Sequence, residues 1–295
     1  MSTFLEGLKQ GIEYGSIFAL MALGYSMVYG IVKMINFAHS EFITIGGMTS
    51  FFITEAILKT KMGDSIWGLL IALAVSIVVC VIVAIITERF AYRPLRKKGS
   101  SRITALITAI GVSYIINGIL NYIEPNQMSF KEYISADVSF YISVSTAIVL
   151  VLLLTFFVKK TKLGIAMRAV SENESAAKLM GINNNFIISL TFIIGSALAA
   201  IGVVIYLIDG EKFRFDVGSV TIGLYPFVAA VVGGIGSLPG AVLGGLLIGL
   251  IRGITGVYSD IGLSVWVDTI IYGIFVIILL FKPAGLLGKD EREKV

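Results

Sequence analysis

Residues 66–86 read IWGLLIALAVSIVVCVIVAII, a run without a single charged side chain. An α-helix rises about 1.5 Å per residue, so a run of this length crosses the roughly 30 Å of hydrocarbon in a bilayer. The apolar runs of the chain fall at about 12–32, 37–58, 66–91, 103–123, 140–158, 186–208, 221–235, 240–257 and 262–281. The sequence therefore predicts an all-α polytopic membrane protein with about eight or nine transmembrane helices.

The composition favours the same class. Of the 295 residues, 57% are hydrophobic and only 14% are charged, whereas soluble domains are about a quarter charged. No stretch has the composition of a soluble domain, so we expect residues 1–295 to form one transmembrane domain. The seventh and eighth runs are short and glycine-rich, and they fit two spans, one broken span or a re-entrant pair.

Several kinds of chemistry are excluded by residues that the chain lacks. Cys80 and His39 are its only cysteine and histidine, so we predict no disulfide, no metal site and no catalytic residue. The chain has no phosphate-binding Gly-x-x-x-x-Gly-Lys-Ser/Thr sequence. It should hold no cofactor itself, and any ATP would be bound by another subunit. The net charge of +4 lies in loops and predicts no nucleic-acid partner.

The distribution of charge predicts how the chain lies in the bilayer. Basic residues concentrate in the segments 89–102, 159–178 and 282–294, which we expect on the cytoplasmic side. The loops 124–139 and 209–220 carry mixed or acidic charge and should face outward. Nine crossings would put the N-terminus outside, whereas a broken helix around 33–47 would move it to the cytoplasm.

One polar segment, residues 159–185, is expected outside the bilayer. Good helix formers and the absence of proline predict a helix over 165–180, and Gly181 can follow its end. One interpretation is an amphipathic helix lying on the membrane surface. The other is a coupling helix, whose small side chains permit close docking on a cytoplasmic motor.

The sequence of this segment resembles a known motif. Residues 174–181, ESAAKLMG, resemble the "EAA…G" loop of ABC-importer permeases, with Ser175 in place of the first alanine. Further stretches resemble branched-chain amino acid permeases and follow one another along the chain. They are GYSMVYGI (24–31), MINFAHSE (34–41), ERFAYRPLR (88–96), AVVGGIGSLPGA (230–241) and KPAGLLG (282–288). Ser40 stands where the typical pattern has glycine.

This resemblance implies a function and a set of partners. The fold would be that of an ABC-importer permease in a prokaryotic inner (plasma) membrane, importing leucine, isoleucine and valine by alternating access. Expected partners are two cytoplasmic ATPase subunits holding ATP and Mg²⁺, a second permease subunit and an extracytoplasmic solute-binding protein. The ATPase-coupling residues would be Arg168, Glu172, Glu174, Ala176, Ala177 and Gly181.

Three alternatives remain open at this stage. The same kind of importer could carry urea, a short amide or another small amino acid. An ion-coupled secondary carrier would act without an ATPase, although the sequence offers few buried charge pairs. An intramembrane enzyme would need a metal or nucleophile constellation, which one histidine and one cysteine do not provide.

Polar residues are unusually dense in the second apolar run. Ionisable groups in a membrane usually face a cavity or pair with one another. We therefore predict a substrate pathway formed by Asn36, His39, Ser40, Glu41, Gly46 and Gly47, with the two glycines able to free backbone groups. Asn36 and Ser40 would share a helix face. The structural alternatives are a packed histidine and an acid that is favoured in the first helical turn.

Two rows of glycine, each with a spacing of four, follow in the region 233–256. One is Gly236, Gly240 and Gly244, and the other is Gly245, Gly249 and Gly253. Such rows let helices approach closely, so we predict helix packing within the chain or between chains.

Overall fold

The computed structural model describes residues 2–58, 66–123, 128–129, 135–208, 212–213 and 215–288. Its α-helices are α1 (Ser2–Val32), α2 (His39–Leu58), α3 (Ile66–Thr87), α4 (Arg93–Lys97), α5 (Arg102–Ile123), α6 (Ala136–Lys160), α7 (Lys162–Glu172), α8 (Glu174–Leu179), α9 (Asn184–Leu207), α10 (Phe215–Gly233), α11 (Leu238–Val257) and α12 (Val267–Phe281). A π-helix (Glu88–Tyr92) joins α3 to α4, and two 3₁₀ turns (Ser259–Ile261 and Leu263–Trp266) precede α12. Two short strands, β1 (Met128–Ser129) and β2 (Lys212–Phe213), pair antiparallel.

The described chain has seven helices that are long and apolar enough to cross a membrane. They are Thr3–Val32, Ile66–Lys97, Ile103–Ile123, Asp137–Lys160, Asn184–Leu207, Leu238–Val257 and Leu263–Phe281. Residues 223–233 of α10 form a shorter apolar helix, and α2 lies along α3. The all-α prediction is confirmed, and α2 and α10 account for the difference between seven spans and nine predicted runs.

The second predicted run, 37–58, becomes helical only at His39, after a break that follows the end of α1. Residues 33–38 are not helical, and Lys33 has a φ of 56°. The predicted helix face shared by Asn36 and Ser40 is therefore wrong, because α2 begins only at His39. Cys80 Sγ of α3 lies 3.2 Å from the carbonyl oxygen of Phe42. Ser76 Oγ donates to the carbonyl oxygen of Gly46 at 3.0 Å, so α2 and α3 are antiparallel.

The predicted cytoplasmic segments meet at one end of the bundle. One cleft there is lined by Gly30, Val158, Arg168 and Gly236, and another by Arg96, Lys97, Glu174, Ser175, Lys178 and residues 182–185. We call this the basic end. The last turns of α1 lie at the basic end, so its first turns lie at the opposite end of the bundle. The break before α2 therefore does not bring the start of α1 to the basic end, as a broken helix there was expected to do. The tail residues Lys289, Arg292 and Lys294, and the loop residues 124–127, 130–134, 209–211 and 214, lie outside the described residues.

Helices α1 and α11 touch through their backbones. Gly249 faces the backbone of Gly11 and Gly15, and Gly245 faces that of Ala19. A Cβ at Gly249 would occupy the space of these atoms. Small residues permit such an approach, and the close approach strengthens van der Waals attraction inside a membrane.

The other predicted glycine row contacts a different helix. A Cβ at Gly240 or Gly244 would collide with the carbonyl oxygen of Gly233 or Ala229 on α10. Gly236 is not part of this helix row, because it lies with a φ of 90° in the turn before α11. The seventh and eighth runs are thus two helices folded back on each other.

A cationic side chain joins four helices away from the basic end. The Cζ atom of Arg252, on α11, lies 4.7–5.8 Å from four aromatic ring centroids. The rings belong to Tyr14, Phe18, Tyr206 and Tyr225. Tyr225 also hydrogen-bonds Asp268 of α12. Because aromatic faces attract cations, the guanidinium group stabilises the contacts among α1, α9, α10 and α11.

We expect Gly249→Val to lower the free energy of unfolding by about 1–3 kcal/mol, because the larger side chain overpacks the contact between α1 and α11. Gly256→Val is the matched control on the same helix, because a Cβ there meets no atom within 4 Å. Denaturation of the purified protein in mixed micelles would measure both. Equal stability of the two variants would contradict the role of the glycine row.

Candidate functional site

The polar segment contains two helices rather than the one that we predicted over 165–180. Asn173 separates α7 from α8 with extended backbone angles, and its side-chain oxygen accepts from the backbone N–H of Ala176 at 2.9 Å. Asparagine favours this helix-capping conformation over a helix interior. The single-helix expectation is therefore wrong. Gly181 has a φ of 82° and follows the end of α8, as the sequence predicted.

Most predicted coupling residues are exposed at the basic end. Arg168, Glu172, Glu174, Ala176 and Gly181 are exposed on or beside α7 and α8. Ala177 differs from them, because it is buried in the core. A partner protein could touch the five exposed residues, whereas Ala177 serves to hold α8 against the bundle.

Two large apolar side chains next to Gly181 were absent from the predicted coupling set. Leu179 is 89% exposed and Met180 is 83% exposed, at the end of α8. Exposed apolar side chains that lie together on a polar segment often mark an interaction site. The sequence signal was present, since these residues form an apolar pair inside a polar segment.

A network of charges connects α8 with the spans. Glu88, in the π-helix, is fully buried and accepts hydrogen bonds from Arg93 at 2.8 Å and Arg96 at 2.7 Å. Ser189, near the start of α9, also donates to Glu88 at 2.9 Å. Arg96 lies 3.5 Å from a carboxylate oxygen of Glu174. These side chains thus connect α8 with α4, the π-helix and α9.

The π-helix explains how the network forms. The backbone N–H of Arg93 bonds the carbonyl oxygen of Glu88, five residues earlier. This wider turn brings the two side chains onto one side, and π-helical turns are frequent at functional sites. From sequence, Arg93 and Arg96 were only part of the basic segment 89–102, because helical spacing of 3.6 residues gives no reason to pair them with Glu88.

The predicted pathway residues gather around the break before α2. His39 is fully buried, with its ring centroid 4.3 Å from that of Tyr25. Asn36 accepts a hydrogen bond from Tyr92 at 2.6 Å. Ser40 donates to the carbonyl oxygen of Phe37 and packs against Gly223 of α10. These residues share one region, where α1, α2, α10 and the π-helix meet.

Several polar atoms in this region have no hydrogen-bond partner within the described part of the chain. They are Nδ2 of Asn36, both ring nitrogens of His39 and Oε2 of Glu41. Buried polar groups are normally hydrogen-bonded. Such a concentration of unsatisfied groups is typical of a site that receives water or a polar solute.

Glu41 lies at the interface between α2 and α5. Its Oε1 accepts from Ser113 of α5 at 2.8 Å, and Asn117 is another hydrogen-bonding neighbour of the carboxyl group. Ser113 and Asn117 are four residues apart, so one helix face carries both.

The remaining predicted pathway residues, Gly46 and Gly47, lie inside α2. A Cβ at Gly46 would come within 3.2 Å of Ala200 and Cys80, and Gly47 is also buried. The expectation that these glycines free backbone groups is wrong, because the helix is unbroken there and the interruption lies at 33–38.

A family model described as "Branched-chain amino acid transport system / permease component" matches residues 7–280. The chain belongs to this permease family. It is a multi-pass protein of the inner membrane, as its apolar helices and its relatives both indicate. The family that the sequence motifs resembled is thereby confirmed.

Relatives cover nearly the whole permease. It is 36% identical to the high-affinity branched-chain amino acid transport system permease protein BraD of Pseudomonas aeruginosa, over 99% of this chain and 98% of BraD. It is also 36% identical to the protein LivH of the same description from Escherichia coli (strain K12), over 99% of this chain and 98% of LivH.

A solved structure shares the fold of the permease. It is PsaBC from Streptococcus pneumoniae in complex with Fab, with a TM-score of 0.50 and 14% identity. The match covers 95% of this chain and 91% of that one. This likeness shows the fold alone, and it agrees with the predicted fold class.

We expect Glu88→Gln to destabilise the permease by about 3 kcal/mol, because it leaves two arginines without their buried carboxylate. Glu174→Gln should cost less than about 1 kcal/mol, since the Glu174 side chain is half exposed and water screens its pair with Arg96. Denaturation in mixed micelles would compare them. A cost as large for Glu174→Gln as for Glu88→Gln would contradict this ranking.

Proposed function

We propose that this permease is one of two membrane subunits of an ATP-driven importer of branched-chain amino acids. The observation that carries the proposal is the full-length similarity to BraD and LivH, which are named as permease proteins of high-affinity branched-chain amino acid transport systems. A soluble binding protein would deliver leucine, isoleucine or valine at the outer face. Two cytoplasmic ATPase subunits, holding ATP and Mg²⁺, would drive alternation of the spans between outward-open and inward-open states.

The basic end supports an ATPase as the partner of α7 and α8. The exposed pair Leu179 and Met180 offers an apolar contact, and Arg168 and Glu172 offer charges beside it. Glu174 passes force to the spans through Arg96. Movement of a docked ATPase would thus act on α3 and α9 together, which is what alternating access requires.

The exposed side of α5 supports a second permease subunit. Tyr122 is 93% exposed, and Asn121 is exposed while donating a hydrogen bond to Asn117 at 2.7 Å. Polar side chains on a spanning helix are costly in lipid and usually face protein or a water-filled cavity. A partner permease on this face would remove them from lipid, and the pathway would then lie between two subunits.

We expect the complete transporter in vesicles, with its binding protein and ATP, to take up leucine. Urea at the same concentration should not be taken up or stimulate ATP hydrolysis, because urea has no aliphatic side chain for an apolar part of the pathway to bind. Radiolabelled uptake and phosphate release would measure both. Vesicles with a non-hydrolysable ATP analogue are the control, since an ion-coupled carrier would transport leucine in them as well. Absence of leucine uptake, or uptake independent of ATP hydrolysis, would reject the proposal.

We expect Leu179→Asp to weaken association with the ATPase about tenfold or more, because it places a charge in an apolar contact. Leu287→Asp is the matched control, since Leu287 is also exposed but lies after α12, outside the docking segment. Co-purification and coupled uptake would be measured after confirming equal membrane insertion. Equal ATPase association of the two variants would contradict docking at Leu179.

A further inference from the structure

The interface between α2 and α5 changes from polar to apolar along its length. At one level Glu41 of α2 meets Ser113 and Asn117 of α5. Beyond them lies an apolar groove of about 420 Å³. Its lining residues include Ile45, Met48, Val79, Val83, Ile116 and Leu120.

Helical spacing places the two parts next to each other. Ile45 and Met48 follow Glu41 by four and seven residues, so they share its face of α2. On α5, Ile116 and Leu120 follow Ser113 by three and seven residues, so they share its face as well. One helical turn, about 5.4 Å, therefore separates the acidic group from the start of the groove.

The acidic group retains a free acceptor. Glu41 is only 4% exposed, and its Oε2 has no hydrogen-bond partner among the residues that the structure describes. An unsatisfied buried acceptor is costly, so a site of this kind favours a ligand that brings a donor. An ammonium group supplies three donors and a positive charge, which makes it a strong partner for a carboxylate.

We propose that Glu41 binds the ammonium group of a transported amino acid while the groove between α2, α3 and α5 receives its aliphatic side chain. In leucine the ammonium group and the branched end of the side chain are separated by about one helical turn, so one molecule reaches both parts. Ser113 and Asn117 hold the Glu41 carboxyl group in position. This inference rests on the proposed function, and it names the substrate group that this part of the pathway recognises.

The test uses the full transporter complex in lipid nanodiscs, without the binding protein. Cys80 is the only cysteine of the permease, so Cys80→Ala with Thr49→Cys gives one thiol at the groove. The labelling rate of this thiol by a maleimide reports occupation of the groove. The three probes are leucine, leucinol, which keeps the ammonium group but lacks the carboxylate, and 4-methylpentanoate, which lacks the ammonium group.

Leucine and leucinol should slow labelling, and 4-methylpentanoate should not. Glu41→Gln should raise the leucine concentration needed for protection about tenfold or more, the effect of losing a hydrogen bond between charged groups. Glu41→Asp should restore part of the protection. Glu55→Gln is the matched control, because Glu55 is an exposed carboxylate on the same helix, and it should leave protection unchanged.

The inference is overturned if 4-methylpentanoate protects the thiol from labelling as well as leucine does. It is equally overturned if leucine protects the Glu41→Gln variant at the same concentration as the parent protein. It is also overturned if no solute alters labelling, as occupation of the groove by a lipid chain or by the second permease would predict. The three probes decide this in the parent protein even if Glu41→Gln does not fold. If the unaltered transporter does not take up leucine, the proposed function is rejected. If it takes up leucine but one of the overturning labelling results is found, only the role of Glu41 is rejected.

Discussion

The close approach of α1 and α11 is the contact on which the rest of the bundle depends. Lipid chains are as apolar as leucine, so burial of hydrophobic surface does little to hold two helices together in a bilayer. Backbone contact at Gly11, Gly15 and Gly249 supplies attraction that longer side chains would prevent. Because α11 also packs on α10 through Gly244 and carries Arg252, the same helix brings α1, α9 and α10 together.

Helix α6 extends this frame to both membrane surfaces. Away from the basic end, Lys9 pairs with Asp137, and Ser139 donates to Glu13 of α1 at 2.7 Å. At the basic end, α6 passes into α7 at Thr161, whose side chain accepts from the next helix. Helices α7 and α8 are thus joined to the bundle by covalent continuity as well as by the Glu88 network. A force on them reaches the spans by two routes.

The apolar runs predicted the spans because their signal is one-dimensional: length and the absence of charge suffice. The motif around Gly181 predicted the helix end for a similar reason, since a left-handed residue there is a local requirement. A broken helix around 33–47 was one alternative, but its exact place at 33–38 was not predictable in the same way. Residues 33–38 have ordinary local preferences, and only tertiary contacts such as that between Asn36 and Tyr92 fix their course. The pairing of Glu88 with Arg96 likewise depends on a π-helical turn that no periodic pattern signals.

The position of α1 and α11 along the chain has a consequence for biosynthesis. Chains insert into the membrane from the N-terminus, so α1 enters the bilayer long before α11 is made. Until then its glycine face, with Gly7, Gly11 and Gly15, has no helix to contact and must be covered by lipid or by the insertion machinery. Contacts between distant parts of a chain form slowly. The bundle can therefore close only near the end of translation, and a chain truncated before α11 would leave that face open to capture by other helices.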